Sequence, residues 1–236
     1  MVYSTIKSSR GAFALLIDPD KQTDNLPDLV TKAESLGVDL ILVGGSLVKR
    51  GMEETIATIK SNCRIPTVLF PGSVFQFTPT ADAILLLSLI SGRNAEYLIG
   101  NHVIASQAIK ESKMEVIPTG YMLIDSGQTS SAQYMSNTSP IPSSKPDIAL
   151  ATALAGEQLG LKTIYLEGGS GAQDSIPETF IKTVCDSIDI PVIVGGGIKT
   201  PKQANAIRMA GASMVVVGNS IEKNPHLLEE LVAASR

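Results

Sequence analysis

Glu167 stands directly behind the apolar run Thr163–Leu166, and three of the next four residues (Gly168, Gly169, Ser170, Gly171) are glycine. A carboxylate at the end of a strand can take a proton, and bare backbone beside it lets N–H groups approach an anion. A lone glycine-rich turn says little, but other apolar runs end in a similar way. The first leads into "DPDK" (Asp18–Lys21), the second into "GGS" (Gly44–Ser46) and the third into "PGS" (Pro71–Ser73). The last two lead into "GGGI" (Gly195–Ile198) and "GNS" (Gly218–Ser220).

The glycines of Gly196, Gly197 and Gly218, with Asn219, read as a phosphate cradle, the alternative being tight turns that bind nothing. A carboxylate beside such a cradle repels the ligand unless it accepts a proton or hydrogen bond from the ligand's organic part. Glu167 is read in that role, against the alternative of a surface Glu capping a helix. Tyr165 shares strand parity with Glu167, because side chains alternate with period two, so its hydroxyl can serve the same ligand. Asp18 is either a Mg²⁺ ligand, completed by water and substrate phosphate, or the first residue of an Asx turn fixed by Pro19. Together these imply two anionic groups: one phosphate on the glycines, and a second phosphate or diphosphate with metal.

The elements that must position these residues are eight short apolar runs: Phe13–Ile17, Leu40–Val43, Thr67–Phe70, Ala83–Ser88, Glu115–Ile124, Thr163–Leu166, Val192–Val194 and Met214–Val217. They are nearly continuous in apolar residues, as parallel strands covered on both faces are. Helical periodicity falls between them at Leu26–Leu36, Leu47–Ser61, Asn94–Glu111, Asp147–Leu159, Ile176–Ile188 and Pro201–Ala210. Thr200 and Pro201 suit a helix start, and Gly37, Gly160 and Gly211 suit helix ends. The pattern predicts one domain over residues 1–236, a (β/α)8 barrel, with a doubly wound open sheet as the alternative. No helix is expected within "PGSVFQFTPTAD" (Pro71–Asp82). The Ser-, Thr- and Pro-rich segment Asp125–Pro146 is read as a disordered insert or as a lid over the active-site face.

The 236 residues are 44% hydrophobic, enough for a sizeable core, and carry a net charge of -4. An acidic chain argues against non-specific nucleic-acid binding. Cys63 and Cys185 have no partners at metal-ligand spacing and read as reduced core thiols of a cytoplasmic protein. The start "MVYSTIKSSRG" has no signal-peptide character, and "AILLLSLI" (Ala83–Ile90) is too short to span a bilayer. His102 and His226 lack ligand spacing and read as structural or solvent-exposed.

From "LIDPDK" (Leu16–Lys21) through "GGS", "YLEGGSG" (Tyr165–Gly171) and "VGGGI" (Val194–Ile198) to "VVGN" (Val216–Asn219), the chain resembles the geranylgeranylglyceryl phosphate synthases and related prenylglyceryl phosphate synthases. The resemblance implies a modified barrel whose third helix is replaced by a strand-like or irregular piece. It implies transfer of a polyprenyl group, geranylgeranyl above all, from its diphosphate to sn-glycerol 1-phosphate through an ether bond, with Mg²⁺. It implies metal positions at Asp18 and Ser46. The glycerol-phosphate site would comprise Tyr165, Leu166, Glu167, Gly168, Gly169, Ser170, Gly171, Gly196, Gly197, Gly218 and Asn219, with Glu167 as base. Tyr97, in "NAEYLIG" (Asn94–Gly100), matches the aromatic that closes the prenyl groove. "AILLLSLI" and the helix after it are candidates for the groove itself. A homo-oligomer (dimer or hexamer), transient membrane-surface contact and a place in phospholipid synthesis complete the expectation. Two positions depart from the family: Gly168 stands where Ala is usual, and Leu16 stands where one branch has a Lys. Outside this family, the same cradle would suit a sugar-phosphate isomerase, a flavin-dependent oxidoreductase or a non-catalytic phospholipid-binding protein.

Overall fold

The computed structural model describes residues 1–8, 11–21, 25–49 and 51–236. Eight parallel strands pair in chain order: β1 (Ala12–Ile17), β2 (Leu40–Val43), β3 (Thr67–Leu69), β4 (Ala83–Leu89), β5 (Glu115–Leu123), β6 (Thr163–Glu167), β7 (Val192–Gly195) and β8 (Met214–Val217). β8 pairs with β1, Val215 opposite Phe13, which closes the barrel and excludes the open doubly wound sheet.

Each strand divides its side chains between two cores. Ala12, Ala14, Leu40, Leu42, Val68, Leu85, Ile117, Tyr165, Ile193, Met214 and Val216 fill the interior. Their neighbours Phe13, Leu15, Ile17, Ile41, Val43, Leu69, Ile164, Leu166 and Val194 pack outward against the helices. Both faces are therefore apolar, which is why the runs read as continuous rather than alternating. The same period of two carries the inward set on to Asp18, Tyr121, Glu167 and Gly218 at the carboxyl ends of four strands.

The opposite end is plugged. Helix α1 (Val2–Ser8) sends Val2 and Ile6 into the interior core. The Glu115 carboxylate accepts the Val2 and Tyr3 N–H groups at 2.6 and 3.0 Å, capping the helix start. That leaves the carboxyl-terminal face for chemistry, as in barrel enzymes generally.

Helices α2 (Leu26–Ser35), α3 (Met52–Asn62), α4 (Asn101–Ser112), α5 (Ser131–Ser136), α6 (Pro146–Gln158), α7 (Glu178–Cys185), α8 (Pro201–Met209), α9 (Asn219–Lys223) and α10 (Leu227–Ser235) complete the shell. Thr200 caps α8 in a capping box with Gln203, as its sequence suggests. Between β3 and β4 only one 3-10 turn, Val74–Gln76, replaces a helix.

Three expectations need correction. The helix read over Leu47–Ser61 starts only at Met52; before it, the Lys49 N–H is held by the Asp20 carboxylate at 2.9 and 3.0 Å, and residues 47–49 stay an irregular loop. Arg50, inside that span, lies outside the described residues. The helix read from Asn94 opens with a π-turn, Glu96–Gly100, before α4. The segment Asp125–Pro146 is ordered: Ile124 bridges to Ile141, and Ser130 caps α5 within it. Helices α1, α5, α9 and α10 were not read from the sequence.

Candidate active site

A cavity of about 750 Å³ opens at the carboxyl ends of the strands, within the usual range for small-ligand sites. One end is polar, lined by Asp18, Lys21, Ser46, Glu167, Ser170, Gly196, Gly197, Lys199, Gly218 and Asn219. The other is apolar: Leu87, Leu89, Tyr97, Ala105, Ile109, Leu123, Ala132 and Met135 line it. The run "AILLLSLI" and the helix after it thus supply an apolar channel, as read from the sequence. Part of its roof is α5, from the segment considered as a lid.

Glu167 of β6 sits between the two ends, paired with Leu123 of β5 on the apolar side and with Gly195 of β7 on the polar side. It is only 7% exposed, and its Oε1 accepts the Gly169 N–H at 2.7 Å. Burial is the main influence on its carboxyl and pushes the pKa up to about 7; the Gly169 N–H and the Tyr121 and Tyr165 hydroxyls pull the other way. A carboxylate with that pKa is matched to proton transfer near neutrality.

Two tyrosines flank it. Tyr121 of β5 is opposite Tyr165 of β6 in register, with ring centroids 5.4 Å apart, and Phe70 stacks on Tyr165 at 5.0 Å. Burial, then the Glu167 charge, holds both hydroxyls well above the ordinary tyrosine range. Both therefore stay protonated donors. The Tyr165 hydroxyl is buried and has no hydrogen-bond partner of normal geometry, though it faces the carboxylate electrostatically. A buried hydroxyl with so poorly formed a bond is costly, and Tyr165 lines the cavity, where a ligand can complete it.

The glycines of "GGGI" have separate tasks. A Cβ on Gly195 would collide with the Tyr165 hydroxyl. One on Gly196, at φ +90°, would lie 2.7 Å from Glu167 Oε1 and 2.6 Å from the Gly169 nitrogen. One on Gly197 would collide with the Asp174 carbonyl. They let the loops after β6 and β7 close around Glu167, a steric role separate from the anion cradle read from the sequence. Gly218 differs: its φ is ordinary, and an added Cβ would meet Leu16 O at a tight but tolerable 3.1 Å.

Two residues of the expected glycerol-phosphate set do not line the cavity. Leu166 packs outward in the shell core because it has the opposite parity to Glu167. Gly168 is buried, with its N–H bonded to Gly195 O at 2.9 Å. A Cβ there would find ordinary to slightly tight contacts of 3.3–3.5 Å, so the usual Ala would fit.

Across the mouth, Asp18 Oδ1 accepts the Asp20 N–H at 3.1 Å, so the Asx turn is present. Its other oxygen pairs with Lys21 Nζ at 3.1 Å. Lys21 also donates to Asn219 Oδ1 at 3.1 Å, and Asn219 Nδ2 donates to Ser170 Oγ at 3.0 Å. Three strand-end loops are laced together around the polar end. Among the described residues no cluster of three His, Cys, Asp or Glu side chains is placed to hold a metal. Asp18 packs beside Gly45 and lines the cavity together with Ser46, which suits a Mg²⁺ sharing its shell with substrate oxygens and water rather than an all-protein cage.

Sequence reasoning missed Tyr121, Lys21 and Lys199. Tyr121 had a signal, a polar-tipped aromatic near the end of the fifth run; the lysines stood inside or directly after quoted motifs. His102, read as structural or solvent-exposed, lines the cavity with its Nε2 2.8 Å from Leu87 O. Cys63 is buried and Cys185 half-buried, its thiol pushed up to about 12 chiefly by burial. No helix of the described residues is long and apolar enough to cross a membrane.

Comparison with known proteins narrows what this geometry serves. The model of the PcrB family matches residues 4–235. A geranylgeranylglyceryl phosphate synthase of Spirosoma linguale is 48% identical over 97% of this chain and 93% of its own. One from Chitinophaga pinensis is 49% identical over 94% and 89%. The crystal structure of (S)-3-O-geranylgeranylglyceryl phosphate synthase from Thermoplasma acidophilum in complex with substrate sn-glycerol-1-phosphate superposes with a TM-score of 0.92. It is 33% identical, covering 99% of this chain and 96% of that one. Matched from end to end and nearly half identical to such relatives, the chain belongs to the PcrB family.

Proposed function

We propose that the protein is a prenyltransferase joining sn-glycerol 1-phosphate to a polyprenyl diphosphate, geranylgeranyl diphosphate above all, through an ether bond. The observation that carries this reading is the position of Glu167: a buried carboxyl with pKa raised to about 7, where a polar cradle meets an apolar channel.

Glycerol phosphate is assigned to the loops after β6, β7 and β8, with Ser170, Gly171, Gly218 and Asn219 at its phosphate. The Tyr165 hydroxyl, held beside Glu167 without a hydrogen bond of normal geometry, is assigned to donate to the substrate. Glu167 takes the proton of the glycerol hydroxyl as its oxygen bonds to C1 of the prenyl chain. The C1–O bond to diphosphate breaks, and diphosphate leaves with its electron pair. Asp18 and Ser46 would hold Mg²⁺, which supplies charge neutralisation for the leaving diphosphate. The apolar channel takes the tail and keeps water from the developing allylic cation. Incubating the protein with ³H-labelled geranylgeranyl diphosphate, sn-glycerol 1-phosphate and Mg²⁺ tests the reading: label should pass into a glycerol-phosphate ether. Release of free prenol alone would count against it.

The proposal extends to assembly and setting. Ile99, Val103 and Ile104 are 60–67% exposed on the π-turn and α4, an apolar row suited to contact between identical copies. The amphipathic substrate favours transient contact with a membrane surface, and the proposed ether product supports a role in cytoplasmic phospholipid synthesis.

Gly218→Val is expected to weaken glycerol phosphate binding by about tenfold or more while prenyl diphosphate binding changes little, because the branches crowd Leu16 and displace the Gly218–Asn219 turn of the cradle. Equal losses for both ligands in calorimetry would contradict that placement. Gly197 is unsuited to this test, since any side chain there disturbs the Asp174 backbone first.

Tyr97 lines the channel, and its hydroxyl donates to Met135 O at 3.2 Å. Each buried CH₂ contributes about 0.8 kcal/mol, whereas forcing a further isoprene unit against a filled wall costs roughly 1–3 kcal/mol. Tyr97→Ala should therefore admit longer diphosphates and leave shorter ones little changed, read as kcat/KM against chain length. An unchanged profile in the folded variant would move the limit to its neighbour Met135 or elsewhere on α5.

A further inference from the structure

We propose that Gln76 is a positioning residue, whose buried carboxamide fixes the Gly45–Ser46 loop against Asp18 and thereby sets affinity for the diphosphate. The inference rests on the assignment of that loop to the diphosphate and metal. Gln76 lies on the 3-10 turn that stands in place of the third helix, and it is only 3% exposed. Its Nε2 donates to Gly45 O at 2.7 Å. Its Oε1 accepts the N–H groups of Gly45 at 3.3 Å and Gly72 at 3.2 Å.

One side chain thus satisfies a donor and an acceptor on Gly45 and a second donor on the neighbouring loop. A primary carboxamide presents both kinds of group from one planar head. The backbone is shaped to receive it. Gly72 packs so closely on Gly45 and Ser46 that an added Cβ would collide with Gly45 O. Gly45 in turn backs Asp18: a Cβ there would lie 3.2 Å from Asp18 Oδ2 and 3.4 Å from Oδ1. Gln76 touches neither ligand in the proposed reaction. It acts through Gly45, and its effect should fall on the diphosphate end alone.

Gln76→Glu keeps the shape and the oxygen that accepts both N–H groups but, when ionised, loses the proton given to Gly45 O and adds a charge facing that carbonyl. When protonated, the carboxyl again offers a donor and an acceptor. The probes are the unreactive geranylgeranyl thiolodiphosphate with Mg²⁺ and, separately, sn-glycerol 1-phosphate. Both are measured by calorimetry against wild type at each pH. At about pH 8, Gln76→Glu should weaken thiolodiphosphate binding by about tenfold or more and leave glycerol phosphate within about twofold. Its deficit relative to wild type should shrink at about pH 6 as the carboxyl protonates. Gln76→Met, with neither group, should show the same selective loss without recovery.

Unchanged binding of both probes in either folded variant would overturn the inference. So would equal weakening of both, or a Gln76→Glu deficit that ignores pH. A wild-type protein that does not bind the thiolodiphosphate would instead overturn the loop assignment itself.

Discussion

Glu167→Gln is expected to lower turnover by about 10²–10⁴-fold, the usual contribution of a positioned base, while glycerol phosphate still binds. The amide keeps the size of the side chain and can still accept the Gly169 N–H, so the loop should survive. The pH profile gives a second readout. With its pKa raised to about 7, Glu167 is ionised and competent above that pH and protonated below it. The wild-type kcat/KM should fall about tenfold per unit below it. The residual activity of Glu167→Gln should lack that limb.

Stability has a linked sign. The folded carboxyl holds its proton more tightly than the unfolded one, so this group's contribution is fully present below the unfolded pKa of 4.5. It is lost as pH rises to about 7. Glu167→Gln removes that penalty, and its melting temperature at alkaline pH should equal or exceed the wild type's. A strong drop in melting temperature with proportionate loss of ligand binding would make Glu167 a structural residue.

Asp18→Asn is expected to cost about 10²–10³-fold in turnover, the scale of losing one main charge-stabilising contact at a developing anion. The amide can keep the Asx turn to Asp20 but loses the charge that pairs with Lys21 and would hold Mg²⁺. Saturation should need more Mg²⁺, and the affinity for Mn²⁺ followed by electron paramagnetic resonance should fall. Unchanged activity with unchanged metal dependence would reduce Asp18 to the turn former that the alternative reading describes.

The barrel was legible because its strands are apolar on both faces, and the missing third helix because Pro71 and Pro79 bracket too short a span. The strand-end residues Asp18, Glu167 and Gly218 were legible because they follow runs whose period of two sets their direction. What the sequence did not disclose are contacts made across loops. Nothing in "SVFQF" says that Gln76 reaches back to Gly45, and nothing in "GGGI" says that Gly195 makes room for a tyrosine on the preceding strand. Leu166 entered the expected set with a motif carried over whole, and its parity turns its side chain outward. Tyr121 was passed over because the fifth run was read as strand alone. Helix α5 was hidden by a composition that suits coil, and it is held by contacts from elsewhere, among them Asn94 Nδ2 on Ser136 O at 2.6 Å.

The central claim is that the glycerol hydroxyl, deprotonated by Glu167, displaces diphosphate from the prenyl carbon. Mass spectrometry on sn-glycerol 1-phosphate carrying ¹⁸O in its C3 hydroxyl tests it most directly. With geranylgeranyl diphosphate and Mg²⁺, the product ether should retain the ¹⁸O and the released diphosphate should carry none. Product without the label, or label recovered in water or diphosphate, would contradict the account.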